Sequence, residues 1–161
     1  MSTRFIYFLG FVIAGLILGI SIYLQCFAGF IPCPLCTLQR FAFAAFGIFC
    51  LFGLLLSSKL LARMLINTLM LISAIFGLFF SGRQIWLQHF PPAHNSECGV
   101  SLEYMLQALP LQEVIQKVFV GSAECTERGW SFLFLNMAEW SLLWFILFFV
   151  MSVYLLLKRT F

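Results

Sequence analysis

The sequence predicts an all-α membrane protein: a four-transmembrane-helix bundle with two outer loops, the longer carrying a short interfacial helix. Three observations predict it. The 161 residues are 63% hydrophobic and only 9% charged, against roughly 25% charged and 45–50% apolar in a soluble domain. The charges leave four long uncharged intervals: 35 residues between Arg4 and Arg40, 18 between Arg40 and Lys59, 19 between Arg63 and Arg83, and 18 between Glu139 and Lys158. Crossing the hydrocarbon core takes about 20 mainly apolar residues in a helix, which satisfies its own backbone polar groups in lipid. The nine Lys/Arg form no basic run, so a surface that tracks nucleic-acid phosphates is excluded.

The chain reads as one membrane domain, 1–161, with spans at about 5–24, 38–56, 64–84 and 139–157. The first could be taken for a signal peptide, since Arg4 precedes an apolar run. That run of about 20 residues exceeds a 7–15-residue signal h-region, and no clear A-x-A site follows. Gln25 before Cys26 is also too large for a lipoprotein signal, so the span is expected to be retained. Alternation of four spans puts both termini and the 57–63 loop on one side, with Arg4, Lys59, Arg63, Lys158 and Arg159 and no acid. The other side holds Arg40, Arg83, Lys117 and Arg128 together with all six Glu residues. The positive-inside rule makes the first side cytoplasmic. Tyr7 and Tyr154 are expected as aromatic anchors at that face, and Trp86, Trp140 and Trp144 at the other.

The outer side then owns loops at about 25–37 and 85–138. In the long loop Leu111, Val114, Ile115, Val118 and Phe119 recur at i, i+3, i+4, i+7 and i+8, with polar residues between them. That is one apolar face of a short helix, and Pro110 suits its first turn. Such a helix either lies in the interface plane or packs on the protein's own loop. No internal repeat or low-complexity segment is present.

Four of the six cysteines, Cys33, Cys36, Cys98 and Cys125, fall in the two outer loops, where oxidation is permitted. Cys26 sits at the outer end of the first span, and Cys50 lies deep in the second as a small packing residue. Cys33 and Cys36 form a C-x-x-C, a spacing often used for redox exchange. Cys36 enters the second helix near its N-terminus, where free N–H groups favour a thiolate. Arg40, at i+4, shares its face and adds a positive charge, while desolvation in lipid opposes both. An unpaired cation at the lipid edge is costly without a role. The competing readings are an inert disulfide or half a zinc site for Cys33/Cys36, and snorkelling for Arg40. For Cys98/Cys125 the competing reading is a simple loop staple, and His89 and His94, flanking Pro91-Pro92, read as ordinary loop residues.

These motifs, in this order, resemble the DsbB family of bacterial inner-membrane disulfide-bond formation proteins. The resemblance spans nearly the whole chain. It rests on the four spans, on Cys33-Pro34-Leu35-Cys36 with Arg40 four residues on, and on Trp86-Leu87-Gln88-His89-Phe90-Pro91-Pro92 leading to Cys98. It continues through Val118-Phe119-Val120-Gly121-Ser122-Ala123-Glu124-Cys125, Glu127-Arg128-Gly129-Trp130 and Met137-Ala138-Glu139-Trp140. The resemblance implies an electron relay. Cys98 and Cys125 would take electrons from DsbA, a thioredoxin-like periplasmic oxidase. Cys125 would exchange with Cys33, and Cys36 would pass the electrons to a bound quinone, ubiquinone or menaquinone. Arg40 would hold the quinone and the Cys36 thiolate, with Arg83 or Gln84 as the polar residue that family members place near the quinone. Position 39 is Gln, where a common family version has Glu. No metal is implied.

Other readings fit less well. A vitamin K epoxide reductase-like enzyme usually has its loop pair before the C-x-x-C and needs an extra span, whereas here C-x-x-C comes first. A structural four-span protein of tetraspanin type, with a disulfide-braced outer loop, would leave Arg40 unexplained, and no Cys-Cys-Gly occurs. A four-thiolate zinc adaptor is a further alternative. A haem carrier is disfavoured because no histidine lies in a predicted span.

Overall fold

The computed structural model describes residues 3–28, 33–56, 60–90, 107, 110, 112–114, 131, 132 and 134–158. Four long helices dominate them: α1 (Thr3–Ala28), α2 (Pro34–Leu56), α3 (Leu60–His89) and α4 (Met137–Leu157). With 26, 23, 30 and 21 residues, at 1.5 Å per residue each is at least ~30 Å long and spans the hydrocarbon core. All four are apolar enough to cross a membrane, so the protein is an all-α, multi-pass membrane protein. The predicted spans are right in number and order. The helices overrun them: α1 and α3 extend at both ends, and α2 and α4 begin earlier, at Pro34 and Met137. His89, expected in a loop, ends α3 with its Nδ1 3.0 Å from the Ile85 carbonyl oxygen. The helix stops there because Pro91 disfavours helical backbone at Phe90.

Neighbouring helices pack in chain order, α1 on α2, α2 on α3 and α3 on α4, while α1 and α4 meet only thinly. In lipid no hydrophobic force draws helices together, so close packing and internal hydrogen bonds must do it. The centre is an aromatic stack. Phe43 on α2 stacks on Phe145 of α4 with centroids 4.0 Å apart, and Phe46 stacks on Phe148 at 4.1 Å. Each pair is spaced i, i+3, so both rings on a helix face the same partner. Gly77 of α3 admits the Phe145 ring, and Gly53 of α2 admits the ring of Tyr7.

Tyr7 corrects an expectation. It is fully buried, and its hydroxyl donates to Asn67 Oδ1 at 2.6 Å, while Asn67 Nδ2 donates to the Leu155 carbonyl at 3.4 Å. A phenol facing Asn67 gains more from that buried bond than from the interface, so Tyr7 ties α1 to α3 and is no surface anchor. Tyr154 remains half exposed, with Lys158 Nζ 5.7 Å from its ring.

A small hairpin precedes α4. Strands β1 (Ser131–Phe132) and β2 (Leu135–Asn136) pair antiparallel, Ser131 with Asn136 and Phe132 with Leu135. The turn places Phe134 at φ 68, left-handed backbone that a side chain tolerates only under local constraint. Asn136 then caps α4: its side chain accepts from Glu139 N at 3.0 Å, and Glu139 Oε2 accepts from Asn136 N at 2.8 Å. Asn136 Nδ2 also donates to Gln88 Oε1 at 2.8 Å, clamping the outer ends of α3 and α4. Of the helix expected over 110–120, the described residues show one turn, in which Glu113 N and Val114 N both donate to the Pro110 carbonyl. The remainder lies outside the described residues.

Candidate active site

The start of α2 builds the site. Pro34 occupies the first helical position, where its fixed φ suits the helix and its missing N–H costs nothing. Cys33 therefore takes the N-cap position, and its Sγ accepts from the backbone N–H of Cys36 at 3.3 Å, as a Ser or Asp oxygen would in an N-cap. The Cys33 carbonyl accepts from Thr37 N at 3.1 Å and from Thr37 Oγ1 at 3.3 Å. This local geometry turns both sulfurs to one side, with Cys33 Sγ donating to Cys36 Sγ at 2.8 Å. Closing to the ~2.05 Å of a disulfide needs a movement of less than ~1 Å.

Cys36 draws a further donor from α3. Gln84 Nε2 lies 3.1 Å from Cys36 Sγ and 3.8 Å from Cys33 Sγ. Gln84 Oε1 accepts from Gln39 Nε2 at 2.6 Å, and both glutamines are 4% exposed. Of the two positions expected near the site on α3, the structure takes Gln84 to the sulfurs, while Arg83 is half-buried one residue earlier. Gln39 was noted in the sequence only as a difference from Glu. Its place three residues after Cys36, on the same helix face, was the available signal.

Arg40 is turned toward α1. Its Nε donates to Ser21 Oγ at 2.7 Å, Nη2 to the Ser21 carbonyl at 3.2 Å, and Nη1 to Gln25 Oε1. Ser21 and Gln25 are one turn apart and offer acceptors that match the guanidinium fork. These partners are all neutral, so the charge itself is not cancelled by them.

The two thiols differ in access. Cys33 is buried against Leu35, Leu87 and Val114, the last from the turn after Pro110, while Cys36 is partly exposed. Cys50 is fully buried in the main core, and Cys26 is exposed near the outer end of α1. Cys98, Cys125 and His94 lie outside the described residues.

Below the thiols an apolar cleft of about 300 Å³ opens between α2 and α3, lined by Leu38, Phe41, Ala42, Ala45, Ile72, Ser73, Phe76 and Phe80. It begins at Leu38, two residues past Cys36.

A paired dithiol at the mouth of a four-helix membrane bundle, with amide and guanidinium donors beside it, defines a membrane-bound thiol–disulfide redox protein. Comparison with known proteins identifies the family. Residues 3–155 match the family described as Disulfide bond formation protein DsbB. Disulfide bond formation protein B of Marinobacter nauticus is 35% identical over 159 residues, covering 99% of this chain and 95% of that protein. Disulfide bond formation protein B 1 of Pseudomonas aeruginosa is 37% identical over 158 residues, covering 98% and 97%. The chain belongs to the DsbB family, and its role is in disulfide bond formation.

Proposed function

We propose that the protein is a quinone-dependent protein-disulfide oxidoreductase of the bacterial inner membrane, both termini cytoplasmic. It reoxidises a DsbA-like thioredoxin-fold periplasmic oxidase and passes the electrons through two cysteine pairs into the membrane quinone pool. The observation that carries this reading is the Cys33–Cys36 pair in contact with Gln84 at the start of a membrane-crossing helix, with an apolar cleft that begins two residues further along it at Leu38.

The steps balance as exchanges. A thiolate of the reduced oxidase attacks Cys98 of a Cys98–Cys125 disulfide, forming a mixed disulfide and releasing the Cys125 thiolate. The oxidase's second thiolate resolves the mixed disulfide, so the oxidase leaves oxidised and Cys98 and Cys125 are reduced. Cys125 attacks Cys33 of an oxidised Cys33–Cys36 pair and frees Cys36 as a thiolate. Cys98 then displaces Cys33 from Cys125, restoring the loop disulfide and leaving Cys33 and Cys36 reduced. Cys36 is the electron donor to the acceptor, and Gln84 stabilises its thiolate. Reoxidation of the inner pair returns it to a disulfide.

The residues present suit a quinone. The remaining N–H groups of Arg40 are donors for carbonyl oxygens, since a guanidinium carries five and Ser21 and Gln25 engage one each on Nε, Nη1 and Nη2. The cleft at Leu38 and Phe80 suits an apolar tail. A bound quinone supplies the two-electron acceptor. DsbA is a strong oxidant, so its reoxidation needs an acceptor stronger than the glutathione pool. The partner is soluble whereas quinone is confined to lipid, which is why one pair reaches into water and the other sits at the membrane.

The test is quinol formation by purified protein from a reduced thioredoxin-fold oxidase and oxidised ubiquinone or menaquinone. Cys33→Ser and Cys36→Ser are expected to abolish turnover, and Cys98→Ser to block transfer from the oxidase. Arg40→Met is expected to raise the quinone KM more than it slows the first exchange. Cys26→Ala should leave turnover intact. Full activity in Cys36→Ser contradicts the assignment.

A further inference from the structure

The amide of Gln84 has a direction, and that direction decides which form of Cys36 it favours. A thiolate only accepts hydrogen bonds, while a carboxamide presents N–H donors on one arm and an acceptor oxygen on the other. With Nε2 at 3.1 Å from Cys36 Sγ, Gln84 makes a charge-assisted bond to the thiolate. Rotated by half a turn about its last bond, it would present oxygen to sulfur and favour the neutral thiol. The feature that selects between the two is Gln39, whose Nε2 donates to Gln84 Oε1 at 2.6 Å from the neighbouring helix. Rotation of Gln84 alone would set that Nε2 against another N–H₂ group, with both side chains 4% exposed and little water to compensate.

We propose that Gln39 is a positioning residue: it locks the Gln84 carboxamide with its nitrogen toward the thiols, so that Cys36 is released as a hydrogen-bonded thiolate. This deepens the reading of Cys36 as the electron donor. Stabilising the reduced thiolate also makes the Cys33–Cys36 disulfide more oxidising, as stabilising a reduced form does in general. Glu at position 39 would do the reverse, because a carboxylate can only accept and would draw Gln84 Nε2 away from sulfur. Among the described residues, the titratable and charged groups on the surrounding elements are Tyr23 and Cys26 on α1, Cys33 and Arg40 on α2, Arg83 and His89 on α3, Glu113 in the turn after Pro110, and Glu139 on α4. They are unchanged in every variant compared, so their fields cancel in the ratios.

The test is the rate of iodoacetamide labelling of Cys36 at pH 7 in the reduced full-length protein, read by peptide mass spectrometry. It needs neither quinone nor oxidase, so its failure is distinguishable from failure of the proposed electron relay. Gln84→Met is expected to slow labelling about tenfold, the size of one charge-assisted hydrogen bond. Gln39→Met should slow it threefold or more with Gln84 present and have no further effect with Gln84→Met. Gln39→Glu, which keeps a polar bond between α2 and α3 and guards against a folding defect, should slow labelling more with Gln84 present than with Gln84→Met. A slowing of less than threefold in Gln39→Met, or equal effects of either Gln39 substitution in both backgrounds, overturns the proposal. If Gln39→Met does not fold, the Gln39→Glu comparison alone decides.

Discussion

Gly77→Ala should separate α3 from α4 at the centre of the bundle. A Cβ at position 77 would stand 2.1 Å from Phe145 Cε1, 2.2 Å from Cδ1 and 2.4 Å from Cζ. Carbon atoms rest at about 3.5–4.0 Å, so the ring must retreat by roughly 1.5 Å. It has nowhere to go. Phe145 is fully buried, stacked on Phe43 with centroids 4.0 Å apart, and it meets Phe148 edge-on at 6.4 Å. The displacement therefore passes to the helix axes, at a cost of about 3 kcal/mol, the upper end of the overpacking range. At ~2–4 °C per kcal/mol for a chain of this size, thermal unfolding in detergent should fall by roughly 6–12 °C. Gly82→Ala is the control, since a Cβ there has nothing within 4 Å. Phe145→Leu in the Gly77→Ala background should recover part of the loss, giving a coupling of at least ~1 kcal/mol. Melting of Gly77→Ala within ~2 °C of Gly82→Ala, or a coupling near zero, would refute the packing argument.

Tyr7→Phe removes the donor to Asn67 Oδ1 at 2.6 Å and leaves a buried acceptor without it. The expected loss is about 1–2 kcal/mol in a reversible unfolding titration, partly restored by Asn67→Leu; a neutral Tyr7→Phe would mean that the ring's packing on Gly53 is its whole role. Asn136→Ala removes both the capping box of α4 and the bond to Gln88. It should cost about 1 kcal/mol, and amide exchange should speed up at 137–140 while staying unchanged at 150–157. Uniform acceleration along α4 would contradict a local cap.

Much of the architecture is legible in one dimension. Long gaps between charges mark four helices, because a charge at the centre of a bilayer is too costly to be placed there without reason. Pro34 between Cys33 and Cys36 places the thiol pair at a helix start, since proline fits the first turn and few other helical positions. Cys50, apolar and deep in a span, reads correctly as packing. The bond partners are a different matter. Tyr7 looks like an interfacial anchor until Asn67, 60 residues away, is brought beneath it. Arg40 shares a face with Cys36 along α2, but its side chain reaches across to Ser21 and Gln25. Gln39 is a polar residue beside Arg40 with no evident role until Gln84 arrives from α3 to meet it.

The division has a physical cause. In a soluble helix, the face that avoids water is apolar and announces itself by its period. Here lipid and core are equally apolar, so Phe41 can face the membrane while Phe43 and Phe46 fill the interior with no change of residue type. The sequence by itself determined that the chain crosses the membrane four times and that two thiols wait at a helix start. Only the tertiary structure decided which faces meet, and with them which buried amide is turned toward Cys36, because that choice is made by shape and hydrogen-bond direction across helices.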